Sequence, residues 1–181
     1  MEFLVIHGLN ALLYSSVLFL IAGGLSLIYG VMRILNLAHG NLYAIGAFVT
    51  AWAIGAASAA GAPIAVLYLL LPAGAIAAAA VGAVLEPTLL RPFYKRPEEY
   101  QLLVTFGLLM ILEDLIHLVW GPNPLSAGRV YESFGSFTIS GARYPTYNLA
   151  VIAVGIIAAL FLWAFIYRTR FGVVLRATSQ N

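Results

Sequence analysis

Three stretches carry residue types able to do chemistry. The first is Leu112-Glu113-Asp114-Leu115-Ile116-His117, set inside an otherwise apolar run. An ionisable side chain in mid-membrane costs about 2.5–3.5 kcal/mol on insertion scales, so each one there needs a reason. Glu113 and His117 stand four apart, share a helix face and can pair. Asp114 points about 100° away and needs another partner, on a neighbouring helix or on the outer aqueous side. A proton relay, the lining of a polar path and an interhelical hydrogen-bond anchor are all open readings.

The second stretch is Asn36-Leu37-Ala38-His39-Gly40-Asn41, flanked by apolar sequence on both sides. Asparagine, histidine and glycine are weak helix formers. Grouped here, they predict either a tight cytoplasmic connection or a helix broken within the membrane. A break frees backbone N–H and C=O groups, which is tolerable only where protein or a wet cavity covers them. Transporters use such breaks to hold polar parts of a substrate. The alternative role for Asn36 and His39 is to cap helix ends.

The third stretch is Arg168-Thr169-Arg170-Phe171-Gly172-Val173-Val174-Leu175-Arg176. Its arginines can anchor a helix end among lipid headgroups. The Gly172 break followed by three apolar residues also predicts a short helix with an apolar side, and an exposed apolar surface normally marks a docking site.

These segments must be positioned by membrane spans. Of 181 residues, 62% are hydrophobic, 9% are charged and none is cysteine. Soluble domains carry about 25% charged residues, so soluble, disordered and disulfide-stapled classes are excluded. A span takes about 20 apolar residues, and five runs qualify: Leu9–Tyr29, Leu42–Ala60, Pro63–Leu85, Leu102–Trp120 and Tyr147–Tyr167. The fold class expected is all-α, a polytopic transmembrane helix bundle, with 1–181 as a single transmembrane domain. The polar stretch 121–146 holds an alternating piece, Phe134–Ser140, that predicts a short hairpin or an extended flap.

Charge placement sets the orientation. Arg33, Arg91, Lys95, Arg96, Arg168, Arg170 and Arg176 fall on one set of connections, Arg129 and Arg143 on the other. Seven against two puts the 87–101 loop and the C-terminal tail in the cytoplasm and the 121–146 loop outside. The N-terminus then lies outside, provided that the first two runs are complete spans. Gly74, Ala78 and Gly82 recur at every fourth residue, as do Ala47, Ala51 and Gly55, so each row predicts close helix packing. Zinc-protease, nucleophile-elbow and phosphate-loop patterns are missing, as is a basic, aromatic-interleaved cluster for nucleic acid. No cofactor or metal is expected, and no catalysis.

Gly24-Leu-Ser-Leu-Ile-Tyr-Gly-Val-Met-Arg-Ile-Leu-Asn-Leu-Ala-His-Gly40, followed by Leu42-Tyr-Ala-Ile-Gly-Ala-Phe48, resembles the N-terminal signature of LivH-type permeases of branched-chain amino acid ABC transporters. Thr105-Phe-Gly-Leu, Ile111-Leu-Glu-Asp114 and Trp120-Gly121 are similar to that family's middle span, and Arg168–Gly172 with Arg176-Ala177 to its cytoplasmic segment. Asn41 stands where many such permeases carry an acidic residue, which weakens a charge-based role there.

The resemblance implies a multi-pass subunit of the bacterial plasma (inner) membrane. It would assemble with two ATP-binding subunits and a second homologous permease, and would receive substrate from an extracytoplasmic binding protein. Asn36, His39, Gly40 and Asn41 would line or brace the translocation path. Arg168, Arg170, Gly172 and Arg176 would couple to the ATPases through the 168–179 segment. Similar permeases continue through further spans, so the chain is expected to be C-terminally incomplete. The competing function is a proton-coupled carrier or channel using Glu113, Asp114 and His117. Within the family, urea or short amides are alternative substrates to branched-chain amino acids.

Overall fold

The computed structural model describes residues 2–32, 34–139, 141–170 and 172–173. Five helical spans are long and apolar enough to cross a membrane: Phe3–Gly30, His39–Ala59, Ile64–Phe93, Glu98–Trp120 and Thr146–Arg168. The chain is an all-α polytopic bundle, and each span overlaps one of the five apolar runs, the first beginning earlier and the third ending later than expected. Large apolar side chains remain outside the packed core, Leu118 at 80% exposure among them. That outward face suits lipid, where a soluble domain would bury it.

The chain divides into two compact units, residues 1–33 with 134–181, and residues 34–133. In the first, α1 (Glu2–Met32) packs along α7 (Thr146–Arg168). Ser16 lies against Gly155, and Leu162 against Gly23. Both numbers rise together, so the two helices run parallel, as the first and last of five alternating spans must. Ahead of α7, β1 (Ser136–Ile139) and β2 (Ala142–Pro145) form an antiparallel hairpin, pairing Phe137 with Tyr144, and the stretch Phe134–Ser140 supplies only its first strand. Their rings meet edge to face at 5.7 Å, and the Thr146 N–H donates to the Gly135 carbonyl at 3.1 Å, tying α7 to the hairpin.

The second unit is built on α2 (His39–Ala59), α4 (Ala73–Leu85) and α5 (Glu98–Trp120). Antiparallel α2 and α4 touch where Gly74 meets the Gly46 carbonyl and the Thr50 hydroxyl, with no room for a Cβ at position 74. The row expected on α4 is therefore half used: Gly74 and Ala78 face α2, while Gly82 meets open space. On α2 the contact falls on Gly46 and Thr50, and Gly55 of the expected row meets nothing. Residues 46 and 50 lie about 100° around the axis from 47 and 51, and α4 seats where backbone is barest.

The third span departs from the single run expected over Pro63–Leu85. It is α3 (Ile64–Leu69), a turn, α4, a π turn (Glu86–Leu90) and a 3-10 turn (Arg91–Phe93). Pro72 has no N–H to offer the Tyr68 carbonyl and its ring crowds it, so the helix breaks there. Pro87 acts alike but is absorbed by the π turn, with the Arg91 N–H reaching back to the Glu86 carbonyl. Past the span, Tyr94 donates to Glu86 Oε1 at 2.7 Å. Burial first, then the bond to Glu86, pushes the Tyr94 phenol up to about 12.

A short α6 (Gly128–Ser133), not foreseen, covers the α2–α3 connection by packing Ala127 and Val130 on Ile54 and Leu67. Tyr68 and Ser133 share a hydrogen bond of 2.6 Å, and Arg129 donates to the Ala62 carbonyl at 3.1 Å.

Candidate functional site

The chain is interrupted after the first span over Ile34–Ala38, so that of the expected stretch 36–41 only Asn36–Ala38 are non-helical, while His39, Gly40 and Asn41 already form the first turn of α2. Asn36 is 6% exposed and closes this turn twice over. Its Oδ1 accepts the Ala38 N–H at 3.1 Å, and its carbonyl accepts the His39 N–H at 3.1 Å. This side chain-to-backbone bond substitutes for helix, the use for which Asn is suited. His39 Nδ1 is buried without a partner among the described residues, and Gly40 is exposed in the first turn of α2.

Two bonds hold this turn against α5. Thr105, 1% exposed, donates to the Leu35 carbonyl at 3.2 Å or to its own Leu102 carbonyl at 3.3 Å. Asn41 Nδ2 donates to the Leu109 carbonyl at 2.5 Å. Counting ~1.5 Å per residue along α5, Thr105 lies ~10 Å and Leu109 ~16 Å beyond Glu98. The start of α2 is thus level with the apolar body of α5, well past its charged end. From there α2 runs parallel to α5, and Phe48 meets Trp120 at a centroid distance of 5.6 Å. Thr105 was visible in the sequence only as one hydroxyl in an apolar run, a sign too common to single it out.

Between the two helices lies a groove of 310 Å³ lined by Asn41, Ala44, Phe48, Leu109, Glu113, Ile116 and His117. Glu113 and His117 share its wall, as their spacing requires, but they form no ion pair among the described residues. Both residues are exposed on the chain's own surface and line the groove. Asp114 is also exposed and does not line it. The structure thus joins Asn41 to Glu113 and His117, separates Asp114 from them, and assigns Asn36 to the turn. A second, apolar groove of 420 Å³ lies between α2 and α4 under α6, lined by Gly46, Thr50, Ile54, Gly74 and Tyr131 among others. Among the described residues no cluster of three or more His, Asp or Glu is placed to hold a metal ion.

In the first unit, α7 closes at Arg168, whose guanidinium lies 5.6 Å from the Trp163 ring centroid. Thr169 is extended, at φ −111° and ψ 156°. The chain then turns so that Gly172 sits against the Phe165 and Ile166 carbonyls, where a Cβ would collide. Thr169 Oγ1 accepts the Gly172 N–H at 3.1 Å, and Arg170 is exposed. The helix thus breaks at Thr169, three residues before the expected Gly172, and Gly172 belongs to the helical turn that follows. Arg176 and the remainder of the 168–179 segment from Val174 onward lie outside the described residues.

The family described as branched-chain amino acid transport system, permease component, matches residues 8–181. The chain belongs to that family. Its similarity to curated permeases extends over 95% of its length. It is 28% identical to the high-affinity branched-chain amino acid transport system permease protein LivH of Salmonella typhimurium, 27% to LivH of Escherichia coli K12 and 25% to BraD of Pseudomonas aeruginosa. The chain spans 58% of the length of each of these three relatives. No solved structure matches it. With five apolar helices and this kinship, it is a multi-pass permease of the bacterial inner membrane and of the ABC transporter class.

Proposed function

We propose that this permease is the membrane-spanning subunit of an ATP-driven importer of branched-chain or related amino acids. The observation that carries the reading is the family match over residues 8–181, running through the interrupted turn, the polar middle span and the basic end of α7. Residues 1–181 act in it as one permease domain, contributing no catalysis. Two ATP-binding subunits, a second homologous permease and an extracytoplasmic binding protein complete the assembly. The relatives' printed names, which speak of branched-chain amino acids, support the substrate class.

In this reading the Ile34–Ala38 turn is an intramembrane break. Asn36, His39, Gly40 and Asn41 hold the helix start that borders the path. The arginines Arg168, Arg170 and Arg176 face the cytoplasm, and the turn at Gly172 presents the coupling segment to an ATPase. Closing and opening of the nucleotide-binding partners would push on that segment, and the spans would exchange outward for inward access. The test is a reconstituted transporter carrying Arg170→Glu or Arg176→Glu. Substrate-stimulated ATP hydrolysis should fall roughly tenfold, the scale of a reversed charged contact, with membrane insertion unchanged. Unaltered coupling in both variants would reject the assignment.

A second reading, a proton-coupled carrier, draws support from the shared placement of Glu113 and His117 in one groove. It requires flux driven by a proton gradient without nucleotide, abolished by Glu113→Gln.

A further inference from the structure

The groove between α2 and α5 combines features that neither a proton path nor a packing anchor needs. It is a half-open groove of 310 Å³, in volume at the lower end of the range for small-molecule sites, about 300–1,000 Å³. Its floor is apolar, from Ala44, Phe48, Leu109 and Ile116. Its polar groups are few and of opposite kinds. Glu113 offers carboxylate acceptors and His117 offers an imidazole donor, one helical turn apart and so about 5–6 Å between Cβ atoms. Asn41 gives one amide N–H to the Leu109 carbonyl and keeps a second N–H as donor and its Oδ1 as acceptor on the groove it lines with Glu113.

Glu113 lies fifteen residues into α5, ~22 Å from the Glu98 end. An exposed carboxylate at that depth is not stable against hydrocarbon, so this face borders water or protein. A bare cation would find only one carboxylate here. A purely apolar solute would leave Glu113 and His117 without partners. What satisfies every group at once is a molecule with an ammonium, an adjacent carboxylate and an aliphatic body.

We infer that the α2–α5 groove is the membrane-embedded binding site for a zwitterionic aliphatic amino acid. Glu113 and Asn41 Oδ1 take the ammonium, His117 donates to the carboxylate, and Phe48, Leu109 and Ile116 hold the side chain. The inference rests on the transport reading above and adds to it a location and a division of roles. The apolar α2–α4 groove, whose Thr50 hydroxyl is committed to the Gly46 carbonyl at 2.9 Å, offers no charge for either end of such a molecule.

The experiment uses the full chain assembled with its transport partners in lipid vesicles, and a diazirine analogue of L-leucine as a photo-crosslinking probe. Adducts should map by mass spectrometry to Phe48, Leu109 or Ile116. L-leucine should displace the probe, whereas isocaproate, which lacks the ammonium, and isoamylamine, which lacks the carboxylate, should each compete at least about tenfold more weakly, the loss expected for one charge-assisted hydrogen bond. Glu113→Gln, close to isosteric, should reduce labelling by a similar factor and Glu113→Asp should restore part of it. Adducts in the α2–α4 groove, or equal competition by all three compounds on the unaltered protein, would overturn the site. If L-leucine uptake by the same vesicles persists in that case, the transport reading stands without it. If no assembly takes up L-leucine, both fall.

Discussion

The side-chain amide of Asn41 donates to the backbone carbonyl of Leu109, a residue 68 positions further along the chain. That bond fixes where α2 starts relative to α5. Together with Thr105 and Leu35 it sets the turn at Ile34–Ala38 deep beside the apolar part of a neighbouring helix. Asn41→Ala should lower the thermal stability of the purified protein by the equivalent of about 0.6–1.5 kcal/mol, the range for single side-chain hydrogen bonds in membrane helices. Hydrogen exchange should rise at residues 39–42 before it rises elsewhere in α2.

Thr105→Val preserves shape while removing the hydroxyl. The Leu35 carbonyl then loses a donor it has no helix to replace, and a buried unsatisfied acceptor costs about 1–3 kcal/mol. The expected readout is a lower unfolding temperature together with faster amide exchange at residues 36–39. An unchanged exchange pattern would mean that the turn is held by Asn36 alone.

The glycines of α4 separate a packing role from mere helix composition. Gly74→Val drives a side chain into the Gly46 carbonyl and Thr50 hydroxyl and should cost about 1–3 kcal/mol or more by overpacking. Gly82→Val meets nothing within 4 Å and should be close to neutral. Thermal denaturation of the two variants in the same detergent compares them directly.

Gly172→Ala places a methyl group on the Phe165 and Ile166 carbonyls. The turn after α7 must then open. Uptake should fall by about tenfold or more while protein level and membrane insertion stay normal, as expected for a conformational connection and not for a span. Cell-surface labelling alongside uptake distinguishes the two.

Tyr94 titrates late, with its phenol held near 12 by burial and by Glu86. A raised value in the folded state means that its contribution to stability is complete below the unfolded value of about 10. It is lost as pH rises through about 12. Ultraviolet titration of the folded protein should show a late tyrosine step that disappears in Tyr94→Phe.

The five spans, the first strand of the hairpin, the interruption at Asn36 and a break soon after α7 were legible in the linear order of residues. Each depends on local causes: apolar run length against bilayer thickness, alternation, and helix-breaking residue types. Sequence periodicity also places Glu113 and His117 on one face. It does not say what that face meets. Whether they would pair with each other or line a groove with Asn41 depended on how α5 is rotated against α2. The choice of Gly46 over the equally small Ala47–Gly55 row depended likewise on how α4 seats. Such rotations are set by the fit of facing side chains and bare backbone between segments far apart in the chain, and only the folded arrangement contains that information.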